Sequence, residues 1–284
     1  MTTLSVKMRY AAALLALASA VPAFAADSAT FSAPQQQEIG RLAESYLVAH
    51  PEKMGQAISS YLANHPEFLV AASESLRQRE QLARQQAYVQ MALENRDALL
   101  SDASPSVGPK NAKAAVVMFF DYQCSWCSRM APIMAQVIKT DPDVRFIFKE
   151  LPIFASRWPV SGLAARVGEQ IWLSKGGDAY LRWHNAMYAT GKVEGAMTEQ
   201  DVLNQAKGYL TAQQLADVRK AQQSGAVHDA LMANQALAEH MGFNGTPDFV
   251  VMPQGDSPDA QRVSVIPGST NQDMLLMAIQ KAKG

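Results

Sequence analysis

Cysteine is scarce in this chain, and its scarcity limits the kinds of site that the chain can build. The 284 residues include two cysteines, so the framework of several disulfides that small secreted proteins use is excluded. A net charge of −1 gives no electrostatic basis for binding nucleic acid or an anionic membrane surface. Hydrophobic residues make up 48% of the sequence, which is ordinary for a globular protein that is stabilised by its apolar core.

The two cysteines, Cys124 and Cys127, are separated by two residues, a spacing that can close a small reversible disulfide. The run before them, Ala114 to Phe120, is apolar and typical of a buried strand. The run after them, from Met130 to Ile138, has apolar residues at helical spacing. Cys124 is therefore expected at a helix N-terminus, where backbone N–H groups and the helix dipole favour a thiolate. Because a stabilised thiolate makes the disulfide more oxidising, redox exchange is the leading hypothesis.

The first 25 residues have the pattern of a secretory signal peptide. Two basic residues precede an apolar stretch from Ala11 to Val21, and small residues at Ala23 and Ala25 mark a cleavage site after Ala25. The stretch is shorter than the roughly 20 residues that a membrane anchor needs. We therefore expect residues 1–25 to be removed on export, leaving a mature chain with no membrane span.

Three other roles compete with redox exchange for the cysteine pair. A zinc site needs about four ligands, and the five histidines show no ligand-like spacing to the cysteines (His50, His65, His184, His228 and His240). A purely structural disulfide across so short a loop would constrain the unfolded chain little. Two permanently unpaired thiols are disfavoured in an exported protein.

Sequestration of Cu(I) by the two thiolates is an alternative function of a different class, since soft ligands suit a soft ion. The 14 methionines are scattered without a repeated short spacing, as ordinary core methionines are. Two thiolates alone would bind Cu(I) adequately but specify it poorly. No other metal site and no cofactor is expected.

The segment from residue 26 to residue 101 contains an internal repeat. Tyr46 to Glu52 (YLVAHPE) returns as Tyr61 to Glu67 (YLANHPE), and each Pro-Glu pair suits the first turn of a helix. The pattern predicts helices near 35–49 and 52–63 and a long helix over 66–100.

The apolar stripes of these helices are too thin to form a core by themselves. We therefore expect residues 26–101 to be an oligomerisation segment that associates with its own copies, as a dimer or trimer. The alternative is that the segment folds back on its own catalytic domain.

Residues 102–284 are expected to form the catalytic domain. The domain begins within a stretch rich in Ser, Pro and Gly, residues 101–111, which is typical of a linker or domain entry. A helical insertion of about 155–242 separates two regions of strand pattern. Three further elements are predicted around the insertion: a strand at 144–149, a hairpin strand at 262–266 and a last helix at about 271–281.

From about residue 103 to its end, the chain resembles the DsbA-like thiol–disulfide oxidoreductases. The resemblance rests on four motifs in one order: FFDYQCSWC, FKELP, GFNGTPDFVV and IPGST. The N-terminal extension is more similar to the oligomeric branch represented by ScsC, a copper-sensitivity suppressor. The resemblance implies an α/β thioredoxin fold with an inserted helical domain and a periplasmic location. It also implies exported, disulfide-containing proteins as substrates and a membrane partner that resets the cysteines.

The resemblance also implies roles for individual residues. Cys124 would be the attacking thiol, and Cys127 would resolve the mixed disulfide. Ser125 and Trp126 would tune the pair and shape the substrate surface. Thr246–Pro247 matches the family's Xaa–cis-Pro loop, which lies against the disulfide and can offer a backbone edge to an extended substrate.

One position departs from the family pattern. Many relatives carry an acidic residue six positions before the first cysteine, as a buried proton acceptor, where this chain has Met118. Asp121 and Glu150 are candidates for proton handling in its place. The simpler expectation for each is a capping role or exposure to solvent.

The direction of exchange is open at this point. An oxidase would donate the disulfide to folding proteins, whereas an isomerase or reductase would work from the dithiol. A helical segment that joins protomers favours the second role, and the threonine before Pro247 resembles the isomerase branch. The sequence therefore predicts a periplasmic disulfide isomerase or reductase, with a DsbA-type oxidase as the alternative.

Overall fold

A computed structural model describes residues 31–220, 225–255 and 259–284. The predicted signal peptide lies outside these residues. The chain divides into two compact units, and the boundary between them falls at Ser73 and Glu74. Within the described ranges, no helix combines the length and apolar character that crossing a membrane requires.

The first unit is helical. It contains α1 (Ala33–Ala49), α2 (Pro51–Asn64) and the beginning of α3 (Pro66–Glu94), which confirms the two short helices. The YLxxHPE repeat forms the same corner twice, because His50 (φ −128°, ψ 66°) and His65 (φ −130°, ψ 63°) have nearly equal backbone angles. None of residues 31–73 is buried, so this part of the chain has no apolar core of its own.

The long helix predicted over 66–100 is wrong at its C-terminal end. Helix α3 ends at Glu94, and a short helix, α4 (Arg96–Leu99), follows it. Asn95 lies between them with φ −102° and ψ 16°, and its side-chain amide donates to the carbonyl oxygen of Met91. Local side-chain bonds of this kind are typical of asparagine and compete with the helix.

A five-stranded mixed sheet is the centre of the second unit. Strands β2 and β3 pair in parallel, the other pairs are antiparallel, and the order across the sheet is β1-β3-β2-β4-β5. The strands are β1 (Ser106–Val107), β2 (Ala114–Phe120), β3 (Arg145–Glu150), β4 (Asp248–Pro253) and β5 (Ser264–Pro267). The hairpin strand predicted at 262–266 thus begins two residues later, because a 3₁₀ turn occupies Ala260–Arg262.

Seven helices complete the described part of the second unit after α4. Five of them lie between β3 and β4 in sequence, which confirms the predicted α/β architecture with a helical insertion. The seven helices are α5 (Ser125–Thr140), α6 (Pro159–Lys175), α7 (Gly177–Ala189), α8 (Glu199–Ala206), α9 (Ala212–Lys220), α10 (Ala226–His240) and α11 (Gln272–Lys283).

Strand β2 is buried along its whole length, and its side chains alternate between two apolar clusters. Met118 and Phe120 join the larger cluster, which also contains both cysteines. Val117 and Phe119 join the smaller one, together with Ala92 of α3, which has no exposed surface. The C-terminal end of the predicted oligomerisation segment thus packs on the sheet of the catalytic domain. The fold-back alternative predicted such packing for the whole of residues 26–101.

Side chains of the second unit hold the stretch that connects α4 to β1. The ammonium group of Lys149 donates to the carbonyl oxygen of Ala98 at 2.7 Å and to the hydroxyl of Ser104 at 2.6 Å. The indole of Trp172 donates to the carbonyl oxygen of Ala103 at 2.9 Å. Despite its Ser- and Pro-rich composition, this stretch is therefore an ordered part of the domain.

Candidate redox site

Cys124 lies where β2 gives way to α5. It is the N-cap residue of α5, and its backbone N–H donates to the carbonyl oxygen of Asp121 at 3.1 Å, which closes a tight turn between strand and helix. The predicted strand–helix junction is confirmed. The free N–H groups of the first helical turn therefore surround the Cys124 sulfur, where they stabilise negative charge.

The loop before β4 lies against this sulfur. The Thr246–Pro247 peptide bond is cis, and the Cys124 thiol donates to the backbone carbonyl oxygen of Thr246 at an Sγ–O distance of 3.2 Å. The hydroxyl oxygen of Thr246 is buried and makes no hydrogen bond among the described residues. Its proton is therefore free to be donated to a Cys124 thiolate. The structure thus brings together Cys124, Cys127, Thr246 and Pro247.

The two thiols have opposite tendencies to ionise. The pKa of Cys124 is lowered to about 6, chiefly because the Cys127 thiol can donate a hydrogen bond to the Cys124 thiolate; the Thr246 hydroxyl and two backbone N–H groups lower it further, while burial opposes the shift. Burial raises the pKa of Cys127 well above its usual value. Cys124 is 5% exposed and Cys127 is fully buried. Cys124 is therefore the thiol that can attack as a thiolate.

The two residues between the cysteines differ in exposure. Ser125 is half-buried at the start of α5, whereas Trp126 is 53% exposed. The Arg129 guanidinium carbon lies 4.4 Å from the centre of the Trp126 ring, a cation–π arrangement. The ring of Trp126 is thus exposed to solvent, and its role at a substrate surface stays a prediction.

Asp121 is buried, so the expectation of solvent exposure is wrong, while the expectation of a capping role is confirmed. One carboxylate oxygen accepts the backbone N–H of Gln123 at 2.7 Å. The other accepts the N–H of Phe154 at 2.9 Å and the hydroxyl of Ser161 at 2.8 Å. Burial raises the pKa of Asp121, while these three hydrogen bonds oppose the rise. Asp121 therefore connects the redox turn to the beginning of the helical insertion.

Glu150 is also fully buried, which contradicts both simple expectations for it. Its Oε1 atom accepts hydrogen bonds from the hydroxyls of Tyr122 at 3.0 Å and Tyr180 at 2.8 Å. Burial is the largest cause that raises the pKa of Glu150 well above its usual value, and the nearby Glu169 raises it further. Glu150 therefore keeps its proton to a higher pH than an exposed carboxyl group does.

The surroundings of Glu150 were not predicted from sequence. Gly168 makes room for the carboxyl group, since a Cβ atom there would lie 2.5 Å from Glu150 Oε1. Burial raises the pKa of Glu169 to about 8 and lowers that of His184 to about 3. A glycine, an acid and a histidine within helical patterns give no indication that Gly168 and Glu169 lie near Glu150, or that His184 packs on the tyrosines that bind it. Their meeting depends on how α6 and α7 pack on the sheet.

A second loop of the insertion contacts the redox turn through Gln123. The side-chain oxygen of Gln123 accepts the N–H of Gly195 at 2.8 Å, and its backbone oxygen accepts the N–H of Glu194 at 3.0 Å. Glu194 has a φ of 53°, a region that non-glycine residues seldom adopt. The turn before Cys124 is therefore held from two sides by the insertion.

Comparison with known proteins identifies the family. A model of the DSBA-like thioredoxin domain matches residues 115–280, which include both cysteines and Pro247. The chain belongs to the DsbA-like thioredoxin family. The predicted thioredoxin fold is thereby confirmed, and thiol–disulfide oxidoreductase is the class of activity that this family carries.

Solved structures of DsbA-like proteins resemble this chain. Salmonella enterica Typhimurium BcfH is 70% identical, with a TM-score of 0.78 over 86% of this chain and 100% of that chain. The catalytic domain of Proteus mirabilis ScsC is 25% identical, with a TM-score of 0.54 over 69% of this chain and 98% of that one.

A third structure, the thiol-disulfide exchange protein alpha-DsbA2 from Wolbachia pipientis, is 20% identical, with a TM-score of 0.58. The match covers 70% of this chain and 97% of that chain, and at 20% identity it shows a similarity of fold alone. No curated protein matches the chain.

This DsbA-like protein has a fully buried Met118 on the face of β2 that also packs against Cys127. Where many relatives carry an acid, the side chain is thus apolar. Among the described residues, no group of three or more His, Cys, Asp or Glu side chains is placed to hold a metal ion. The redox pair itself offers two sulfur atoms.

Proposed function

We propose that this protein is a periplasmic thiol–disulfide oxidoreductase that isomerises or reduces disulfides in exported proteins. The observation that carries the proposal is the position of the Cys124 sulfur, at a helix N-terminus and 3.2 Å from the carbonyl oxygen of Thr246. A thiol with a pKa of about 6 is mostly thiolate at neutral pH, and the thiolate is the attacking species.

The reaction begins when the Cys124 thiolate attacks one sulfur of a substrate disulfide. A mixed disulfide forms between Cys124 and the substrate, and the second substrate sulfur leaves as a thiolate. In isomerisation, a substrate thiolate attacks the mixed disulfide and releases Cys124 unchanged. In reduction, the Cys127 sulfur attacks the Cys124 sulfur and breaks its bond to the substrate; the substrate sulfur leaves as a thiolate and takes up the Cys127 proton. The Cys124–Cys127 disulfide forms, and the substrate has gained two electrons. A membrane redox partner then returns the pair to the dithiol.

The substrate is proposed to bind as an extended segment along the loop before β4. Once Cys124 is in a mixed disulfide, it no longer carries the proton that it donates to the Thr246 carbonyl oxygen. That oxygen can then accept an N–H group from the substrate backbone. The exposed ring of Trp126 offers apolar surface beside it.

The first unit supports an oligomer. Its described residues contain no buried side chain, although many are large and apolar. These exposed residues are Phe31, Ile39, Leu42, Tyr46, Leu47, Val48, Met54, Ile58, Tyr61, Phe68, Leu69 and Val70. Surface of this kind is stabilised when copies of the chain cover it. We propose a dimer or trimer in which several redox centres act on one misfolded substrate.

The test compares the mature chain with a chain that lacks residues 26–73. This truncation leaves the second compact unit complete, including Ala92 and Leu99 in its core. Light scattering gives the mass of each, and refolding of a scrambled, disulfide-rich protein gives the isomerase activity. We expect an oligomer that isomerises and a shortened monomer that only oxidises or reduces. A full chain without isomerase activity, or a truncation that keeps all of it, would contradict the proposal.

A DsbA-type oxidase is the second candidate, and one observation favours it. The low pKa of Cys124 stabilises the reduced protein, which makes its disulfide a stronger oxidant. If the full chain is monomeric and oxidises reduced substrates faster than it isomerises scrambled ones, the oxidase becomes the better description.

A further inference from the structure

Asp121 makes more hydrogen bonds near the redox centre than a turn-capping residue needs. Its carboxylate accepts from Gln123 N, Phe154 N and Ser161 Oγ. Its backbone oxygen accepts from Cys124 N at 3.1 Å and from the hydroxyl of Tyr188 at 2.9 Å. The residue is buried, with 1% of its surface exposed, and its carboxylate makes no salt bridge in the described part of the chain.

The partners of Asp121 come from separate parts of the fold. Gln123 and Cys124 belong to the redox turn, whereas Phe154 lies in the loop that follows β3. Ser161 lies in the first turn of α6, and Tyr188 lies near the end of α7. One residue therefore fixes the turn that carries the attacking cysteine against three segments of the helical insertion.

We propose that Asp121 is a positioning residue that holds the Cys124 sulfur at the N-terminus of α5 by fixing the redox turn to the helical insertion. The bond from Gln123 N sets the turn, and the bonds from Phe154 and Ser161 keep the carboxylate in place. If the carboxylate is lost, the turn is free to move and the sulfur leaves the N–H groups that stabilise its thiolate.

The same contacts hold the loop that follows β3, parts of which are exposed. Ile153, which is 40% exposed, directly precedes Phe154. Arg157 is exposed three residues further on, and its guanidinium carbon lies 4.7 Å from the centre of the Trp158 ring. Because Asp121 binds the backbone of Phe154, it fixes the distance between Cys124 and this loop. This part of the inference rests on the proposed redox function.

The test is the Asp121→Asn variant, because the direction of its effect separates two explanations. If the carboxylate acts only through its charge, its removal takes a negative charge away from the thiolate, and the pKa of Cys124 falls. If the carboxylate positions the turn, its removal raises that pKa. The asparagine keeps the acceptor for Gln123 N but places an N–H₂ group where Phe154 N and Ser161 Oγ donate.

The readout is the pH dependence of the alkylation rate of Cys124 in the reduced full chain. We expect the midpoint to rise by about one pH unit, which lowers the thiolate fraction at pH 6 about fivefold. A fall in the midpoint, or no change, would overturn the inference. The matched control is Asp259→Asn, since the Asp259 carboxylate accepts Gln261 N at 2.8 Å in an equivalent local bond. Asp259 lies outside the redox turn and should leave the midpoint unchanged.

A second variant keeps the test decisive if Asp121→Asn does not fold. Ser161→Ala removes one hydrogen bond to the carboxylate and no charge. It should raise the same midpoint by a smaller amount, and an unchanged midpoint would contradict the coupling to α6. The proposed function fails by a separate result, namely full disulfide exchange activity in Cys124→Ala.

Discussion

The Cys124 thiol donates a hydrogen bond to the backbone carbonyl oxygen of Thr246, with the two atoms 3.2 Å apart. These residues are 122 positions apart in sequence, and the pairing of β2 with β4 brings them together. The Cys124 sulfur and the backbone edge that is proposed to bind a substrate thus form one site.

Alkylation of Cys124 in the reduced protein should follow a pKa of about 6 rather than the usual 9.0. Below that pH the thiol is protonated, so the rate should fall about tenfold per pH unit, because only the thiolate reacts. Iodoacetamide labelling followed by mass spectrometry measures the profile. A midpoint near the usual value would contradict the site geometry, and Cys124→Ser should abolish the labelling.

Thr246→Val should raise the pKa of Cys124 by roughly half a unit to one unit, since it removes a hydroxyl that can donate to the thiolate. Valine keeps the branched shape at the same position. Thr246→Ser is the matched control, because it keeps the hydroxyl and loses only the methyl group. Equal profiles for the valine and serine variants would show that the hydroxyl has no such role.

Glu169→Gln should remove a pH dependence of the free energy of unfolding. Burial raises the pKa of Glu169 from 4.5 to about 8 in the folded state. The contribution of Glu169 to the free energy of unfolding is therefore fully present below the pKa that it has in the unfolded chain. It is lost as the pH rises towards the pKa that it has in the folded protein. Between about pH 5 and 7, the unfolded chain has released this proton and the folded chain retains it, so stability falls by about 1.4 kcal/mol per pH unit.

Urea unfolding of both proteins across this range measures the difference in slope. The control is Glu239→Gln, which changes an exposed carboxyl on α10. Its free energy of unfolding should depend on pH with the same slope as that of the wild type. Parallel curves for Glu169→Gln and the wild type would show that Glu169 is ionised in the folded protein.

Gly168→Ala should destabilise the protein by about 1–3 kcal/mol, the usual cost of overpacking. The added Cβ would meet Glu150 Oε1 at 2.5 Å and Trp183 Nε1 at 3.1 Å. Gly40→Ala is the matched control in α1, where nothing lies within 4 Å of the new atom. That change should be neutral or stabilise by roughly 0.5–1 kcal/mol. Equal stabilities of the two variants would mean that α6 does not pack this closely on Glu150.

Local pattern was sufficient to predict the elements around the redox pair. The apolar run before Cys124 and the helical spacing after it predict β2 and α5 within a residue or two. The Thr246–Pro247 site was found through resemblance, because nothing in the composition of a single proline distinguishes cis from trans. Its contact with Cys124 depends on strand order, which local pattern does not contain.

The buried acids show where prediction from sequence fails. Asp121 follows β2 and Glu150 is the last residue of β3, positions where polar residues are usually exposed or cap a turn. Both are buried because the helical insertion covers the ends of β2 and β3 and supplies hydrogen-bond donors. The donors from Tyr180 and Ser161 belong to helices whose placement is a tertiary effect. The break in the long helix at Asn95 was missed for another reason, since a single asparagine is common within a helical pattern and does not by itself predict a break.

The exposed indole between the two cysteines has a consequence for spectroscopy. Trp126 is 53% exposed and directly precedes Cys127 in sequence, whereas Trp183 has no exposed surface. The fluorescence of Trp126 will therefore respond to quenchers in solution, to oxidation of the neighbouring sulfurs and to a polypeptide that covers them, while that of Trp183 is shielded from quenchers. The protein carries its own optical reporter of redox state and occupancy, with no added label.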